Sequence, residues 1–393
     1  MSDTSLPAAT IPPTGLRRRP GIWPMHSGVG IHRYFMMHAM GVLFPATAGW
    51  CLFGWRAVGT IMLTMIWATA ATFIWRRIGL RGAALRYDQV LWLAGLLGLT
   101  LPADLFSVTD WPVLAGGAVI MVILVRLIQG VGWGKIHPVV LTHLFLVACF
   151  HQLLVPEASL QWSHIFRGDV VDAAPPIGAI MRPWLRADLV PGHDAVQAET
   201  SALTLTRYTT TRRWPMNTLV PLDALLRDHL PPLEDLLLGG QPAPIGLGSA
   251  IAVIVGGLFL LYHGMIDSRV PLVMVVSAML TMLILPLPFV VGDDFVWHWF
   301  AVRSPGDRLL VLTLVNYEML AGPLLFTAFF LAPSSLVRPI AQRARTLYAL
   351  LAGILTGVFQ LYLSVSVGAY LALLIVAAAA PLLDRFFKAH TLV

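Results

Sequence analysis

Residues 243–271 read APIGLGSAIAVIVGGLFLLYHGMIDSRVP, and their pattern decides the fold class. A lead containing Pro and Gly gives way at Ser249 to an apolar run without a charge as far as His263, and after Asp267 and Arg269 a second apolar run opens at Val270. Runs of this kind are membrane segments by periodicity and length. The composition of the whole chain agrees: of 393 residues, 57% are apolar and 12% charged, against about 25% charged in a soluble domain. A soluble cytosolic enzyme is excluded, as are fibrous and low-complexity classes. At roughly 20 apolar residues per crossing, the apolar majority suffices for about ten spans. The 33 Gly and 28 Pro are compatible with that, since neighbouring helices satisfy the backbone groups they free.

Working outward, apolar windows fall at 34–53, 58–75, 90–101, 111–127 and 137–154, then at 249–263, 270–289, 309–331, 347–365 and 368–387. The third window is short and ends at Leu101, Pro102 and Ala103, so it reads as a broken or re-entrant element. The organisation is a tail (1–33), a five-helix membrane half (34–154), an external loop domain (155–248), a second five-helix half (249–387) and a short tail (388–393). The fold class is therefore an all-α polytopic membrane protein of about ten transmembrane helices. An odd number of spans before the loop permits a five-plus-five inverted repeat, although the halves show no convincing sequence identity.

The net charge of +6 reports topology first, and no nucleic acid is needed to explain it. Arg17, Arg18, Arg19, Arg76, Arg77, Arg81, Arg86, Lys135, Arg269, Arg338, Arg343, Arg345, Arg385 and Lys388 fall at alternate ends of the spans. The opposite connections carry Arg56, Asp104, Asp110, Asp293, Asp294, Arg303, Asp307 and Arg308. The positive-inside rule then puts both termini in the cytoplasm of a bacterial inner membrane and the long loop outside. The N-terminal tail lacks an apolar core, so no cleavable signal peptide is expected.

Ionisable or polar groups inside a span cost free energy and are functional candidates: His38, Arg126, His143, His151, Asn316 and Glu318, with Asp88 and Asp267 at span ends. His143 and His151 are about 80° apart if they share one helix, and His38 lies on another span. Two such histidines could clamp a haem iron; the favoured reading is that they hydrogen-bond within the bundle, and haem ranks last among the cofactors. Glu318 and Asn316 read either as part of an ion path or as an internal acid bonded to a neighbour. Cys51 and Cys149 have no metal-ligand spacing. The tract from Thr200 to Thr211, TSALTLTRYTTT, alternates as short strands would. The aromatic and acidic segment from Asp293 to Trp299 fits an interfacial belt better than a metal site. No P-loop, G-x-G-x-x-G, nucleophile elbow or H-E-x-x-H is present.

The opening stretch also resembles, without a gap, a segment of the RnfD/NqrB membrane family, whose members serve the Rnf electron-transport complex and the sodium-pumping NADH:quinone oxidoreductase. Gly246, Ser249, Ala250, Gly256, Gly257, Arg269 and Pro271 fall in register with it. Gly130, Gly132 and Pro138 resemble the family's glycine-rich turn, Asp88, Gly95, Leu96 and Leu97 its D-G-S-A-L-V-T-G-L-L, and Ala328, Phe329, Phe330 and Ala332 its A-F-F-M-A-T-D. Pro381 and Asp384 match its terminal P-L-I-D more loosely. The resemblance implies a ten-helix redox subunit of a larger ion-translocating oxidoreductase complex, with other subunits of that complex, a flavin transferase and the lipid bilayer as partners. It also implies FMN bound covalently through its phosphate to a loop threonine, with riboflavin as the other flavin it admits. Asp194 to Thr200 is the matching stretch, and Thr200 falls on the acceptor position. Gln197, Ala198 and Glu199 replace the small residues of the family motif, and Glu199 would repel an incoming phosphate. His137, Leu247, Pro333, Ser334 and Ala377 stand where the family has other polar residues. Those departures mark a divergent member and support an alternative: a flavin-free relative acting as a membrane scaffold or a transporter of small solutes or ions.

Overall fold

A computed structural model describes residues 31–77, 86–107, 110–131, 135–154, 159–160, 197–198, 201–210, 221–239, 243–291, 294–300 and 308–387. Helices α1 (Ile31–Phe53), α2 (Trp55–Arg77), α3 (Tyr87–Leu99), α4 (Trp111–Val131) and α5 (Pro138–Cys149) form the first group, followed by the short α6 (His151–Leu154). Between the groups lie α7 (Ser201–Thr210) and α8 (Leu233–Leu238). The second group is α9 (Ala250–Tyr262), α10 (Arg269–Ile284), α11 (Arg308–Ala321), α12 (Leu324–Leu331), α13 (Gln342–Tyr362) and α14 (Gly368–Phe386). Two small antiparallel ladders complete it: β1 (Ser159–Leu160) with β2 (Gln197–Ala198), and the hairpin β3 (Leu287–Val291) with β4 (Asp294–His298), in which Phe289 faces Val296.

Five helices, α1, α2, α4, α13 and α14, are long and apolar enough to cross a membrane, and α11 with α12 makes a sixth candidate bent by 59°. Large apolar side chains lie bare on their outer faces, Leu43 at 57% and Ile66 at 58% exposure, as a lipid-facing surface requires. Helices α3 and α9 have 13 residues each, about 20 Å against an apolar layer of roughly 30 Å. Local chemistry explains why several apolar windows exceed their helices. Pro286 and Pro288 end α10 and turn the rest of that window into β3, because proline can neither donate to the helix nor leave its predecessor helical. Gly322 and Pro323 break the window 309–331 in the same way. Helix α9 ends on Gly264 at φ 66°, with the Met265 N–H reaching back to the Leu260 carbonyl at 3.0 Å, a left-handed cap that suits glycine.

Two expectations are corrected here. The threonine tract is helical over Ser201–Thr210 and not stranded. Its hydroxyls turn back onto the helix, Thr206 to the Ala202 carbonyl at 2.7 Å and Thr210 to the Thr206 carbonyl at 2.6 Å, while Leu205 and Tyr208 bury the face that decides the conformation. His143 and His151 do not share one helix: α5 stops at Cys149 and Phe150 leaves helical geometry at ψ 45°.

The two groups meet where α1 packs on α9 and α14 on α5. Glycine makes the closest approaches, as expected where apolar lipid supplies no drive to associate and contact must come from fit. A Cβ on Gly256 would lie 2.6 Å from the Gly41 carbonyl of α1, and one on Gly257 would strike the Phe329 ring. Within the second group, α10 and α13 pack most extensively, with Gly353 set directly on Ser277 Oγ and the Met274 carbonyl. Gly353→Ala should destabilise the folded protein by about 1–3 kcal/mol, because backbone has to move. Gly116→Ala, where a Cβ meets nothing within 4 Å, should leave thermal unfolding in detergent unchanged or slightly raised. Equal melting of the two variants would refute the packing argument.

Candidate functional site

Thr200, the expected flavin acceptor, lies outside the described residues, as do Asp194 and Glu199. What is described on either side are β2 and α7, the latter beginning at the next residue, Ser201. Helix α7 is held against the bundle by side chains that donate to, or accept from, backbone groups freed by prolines and helix breaks. Tyr208, 1% exposed, donates its hydroxyl to the Pro288 carbonyl at 2.8 Å, and burial raises its phenol above the ordinary range, so it stays a donor. Thr206 Oγ1 accepts the Val365 N–H at 2.9 Å, at the break between α13 and α14. The same end carries Tyr317 on the Pro231 carbonyl at 2.6 Å and Tyr362 on the Pro286 carbonyl at 2.8 Å.

The opposite end is charged. Lys135 donates to the Arg338 carbonyl at 2.8 Å and stands 3.7 Å from Asp384. Burial holds its ammonium below the usual lysine range while Asp384 opposes that shift. Asp384 also accepts the Ile340 and Ala341 N–H groups, and Arg345 pairs with Asp267 at 3.2 Å. His32 and Arg86 both reach Asp88. Basic residues assigned to one side by charge counting are thus brought together there, tied to three acids.

His38 and His143 pack against different rings. His38 Nδ1 meets the Tyr34 carbonyl at 2.9 Å and its ring packs edge-on to Trp92, whereas the His143 ring lies 4.7 Å from that of Tyr370. His151 begins α6, and nothing further is described of its side chain. His137, which in the sequence is only a replacement for asparagine, is fully enclosed beside Trp92, and neither ring nitrogen has a hydrogen-bond partner among the described residues. Among the described residues no group of three or more His, Cys, Asp or Glu side chains is placed to hold a metal, and Cys51 and Cys149 are free and exposed.

Glu318 is the most isolated acid among the described residues. It is 0% exposed on α11, and among the described residues neither carboxyl oxygen has a hydrogen-bond partner. Asn316, two residues earlier, is about 200° round the helix and only half-buried, so it does not complete the site. Gln360 on α13, in the sequence just one polar residue within an apolar run, is also 0% exposed with an unpartnered amide. Its Nε2 lies against Gly322, one turn from Glu318.

Comparison with known proteins places these features in a lineage. A family model described as the NQR2, RnfD, RnfE family matches residues 24–392. The D subunit of the Na(+)-translocating ferredoxin:NAD(+) oxidoreductase complex of Acetobacterium woodii is 30% identical over 200 residues, 50% of this chain and 52% of that protein, so that alignment spans about half the relative's length. The D subunit of the ion-translocating oxidoreductase complex of Halorhodospira halophila is 25% identical over 352 residues, covering 88% of this chain and 87% of its own. That of Stutzerimonas stutzeri is 27% identical over 369 residues, 89% of each.

Replacing Tyr208 by Phe leaves the buried Pro288 carbonyl without its donor, a loss of about 1–3 kcal/mol. Hydrogen exchange of residues 201–210 should accelerate by about tenfold or more, with α13 and α14 unchanged. Exchange as slow as in the parent would show that this bond does not hold α7 down.

Proposed function

The chain belongs to the NQR2, RnfD, RnfE family, and from that premise we propose that it is the membrane subunit of an Rnf-like ion-translocating oxidoreductase complex, carrying electrons through FMN esterified to Thr200. The relatives named above are subunits of such complexes, and their alignments run nearly end to end in two of three cases. The observation that carries the reading is the position of Thr200 in the chain: the residue before α7, in a family whose match covers residues 24–392. A phosphate on the residue preceding Ser201 would meet the N-terminal end of a ten-residue helix, where free N–H groups and the helix dipole favour an anion.

When bound, the flavin supplies the electron-transfer chemistry, and a covalent link keeps it at a fixed station. The protein's part is placement. Tyr208 and Thr206 fasten α7 to Pro288 and Val365, which supports the reading by anchoring the helix that follows the acceptor in the chain. In this reading the ten apolar elements make ten crossings, the shorter ones α3, α5, α9 and α10 completed by the non-helical segments that flank them. Residues 155–248 then stand outside the cytoplasm, both termini inside, and a flavin transferase acts on the exported loop before docking to the remaining subunits.

Glu199, adjacent to the acceptor, is the residue that favours the second reading, a flavin-free scaffold or transporter. In-gel fluorescence of the denatured protein, co-produced with a flavin transferase, separates the two. The wild-type band should fluoresce and the Thr200→Ala band should be dark. Fluorescence that persists in the variant would place the flavin on another residue, and darkness in both would replace the redox reading with the second one.

A further inference from the structure

We propose that Glu318, Gln360 and the backbone carbonyls at the break between α11 and α12 form an intramembrane binding site for one monovalent cation, a proton or a sodium ion. The inference deepens the ion-translocation reading above and rests on it for its biological use. Its chemistry stands on separate observations.

A carboxyl group sealed from solvent must either be neutral or be matched by a cation, since an unpaired charge in so apolar a setting costs many kcal/mol. Among the described residues Glu318 has no cation to match it: neither oxygen makes a hydrogen bond or an ion pair. The charged and titratable residues on the elements packed against this helix are Arg207 and Tyr208 on α7, Arg227, Asp228 and His229 on the turn 225–229, Glu234 and Asp235 on α8, and Tyr317 beside Glu318 itself; Tyr208 and Tyr317 are committed to the Pro288 and Pro231 carbonyls, and the side chains of Asp228 and His229 lie outside the described residues. Helix α12 brings no acid or base, and the one charged residue of α10, Arg269, is exposed at its N-terminal end.

Other polar groups lie at the helix break one turn along the chain from it. Pro323 has no N–H to give to the Met319 carbonyl one turn back, so the i to i−4 ladder is interrupted at the end of α11. A Cβ on Gly322 would fall on the Gln360 amide and lie 3.1 Å from the Val365 carbonyl and 3.2 Å from that of Glu318. The α11–α12 break thus faces the α13–α14 break across the missing side chain of Gly322. Gln360 brings a second unpaired acceptor, fully buried. A carboxylate, an amide oxygen and carbonyls at two helix ends are hard ligands suited to H⁺ or Na⁺ and poorly suited to soft metals. Loading the site converts Glu318 carboxylate plus one cation into a neutral unit, which is the form the apolar surroundings tolerate. Thr206 of α7 holds the Val365 N–H at this second break, so movement of the docked helix would be felt at the site.

The test uses the full-length protein in detergent and dicyclohexylcarbodiimide, a hydrophobic reagent that adds to protonated carboxyl groups in apolar surroundings, with the adduct located by peptide mass spectrometry. The expected result is an adduct on Glu318, absent in Glu318→Gln, whose yield falls severalfold from mildly acidic to alkaline pH. At fixed pH, sodium chloride against choline chloride identifies the cation: a severalfold loss of labelling in sodium marks a sodium site, and equal labelling marks a proton site. Gly322→Ala, whose methyl displaces the Gln360 amide, should shift the midpoint of the pH or sodium titration. No adduct on a recovered Glu318 peptide at any pH, a yield indifferent to both pH and sodium, or a Gly322→Ala titration identical to wild type would overturn the site. The assay involves neither flavin nor electron donor, so its failure leaves the flavin reading standing, and a dark wild-type band in the fluorescence test leaves this one untouched.

Discussion

Backbone N–H and C=O groups have no water to turn to inside a membrane, and this chain breaks its helices at several places where that constraint has to be met. The solution is to set the breaks against one another. The end of α3 meets the turn before α9, where the Ile245 N–H donates to the Leu101 carbonyl at 3.1 Å and Gly246 lies against Leu99. The α11–α12 break meets the α13–α14 break at Gly322. Where proline carbonyls are left over, the buried Tyr208 and Tyr317 and the exposed Tyr362 reach them with their hydroxyls. Each pairing joins elements far apart in the chain, so satisfying the backbone also fixes the tertiary arrangement.

The same constraint sorts the molecule into two chemically different ends. One is held by charge, through Lys135, Arg345, Asp88, Asp267 and Asp384. The other carries the hydrogen bonds of tyrosines to proline carbonyls and the docked α7, together with the Arg56–Asp104 ion pair at 3.6 Å. Thr206 of α7 accepts the Val365 N–H at the α13–α14 break, and that break faces the α11–α12 break one helical turn from Glu318, which gives α7 a short mechanical route into the bundle.

The mostly helical, multi-pass character is legible in the sequence because apolar windows are strong signals, five or six of them forming candidate spans, and Glu318 stands out as an acid in an apolar run. The limits are physical. Window length overstates helix length wherever Pro286, Pro288 or Pro323 interrupts it, since hydropathy does not register a missing N–H. The Thr200 to Thr211 tract looks like strand by β-branched content, yet burial of Leu205 and Tyr208 outweighs that local preference. Gln360 is invisible because its importance comes from meeting Gly322 across a contact between distant helices, which no local pattern encodes. His137 likewise acquires meaning only beside Trp92.

The central claim, that residues 155–248 stand across the membrane from the N-terminal tail, is tested most directly by accessibility labelling. In a background lacking Cys51 and Cys149, a single cysteine at Asp223 and another at Arg17 are exposed to a membrane-impermeant maleimide in intact cells and again after permeabilisation. The account predicts that Asp223→Cys reacts in intact cells and Arg17→Cys only after permeabilisation. Labelling of both under the same condition would contradict the topology, and with it the exported flavin.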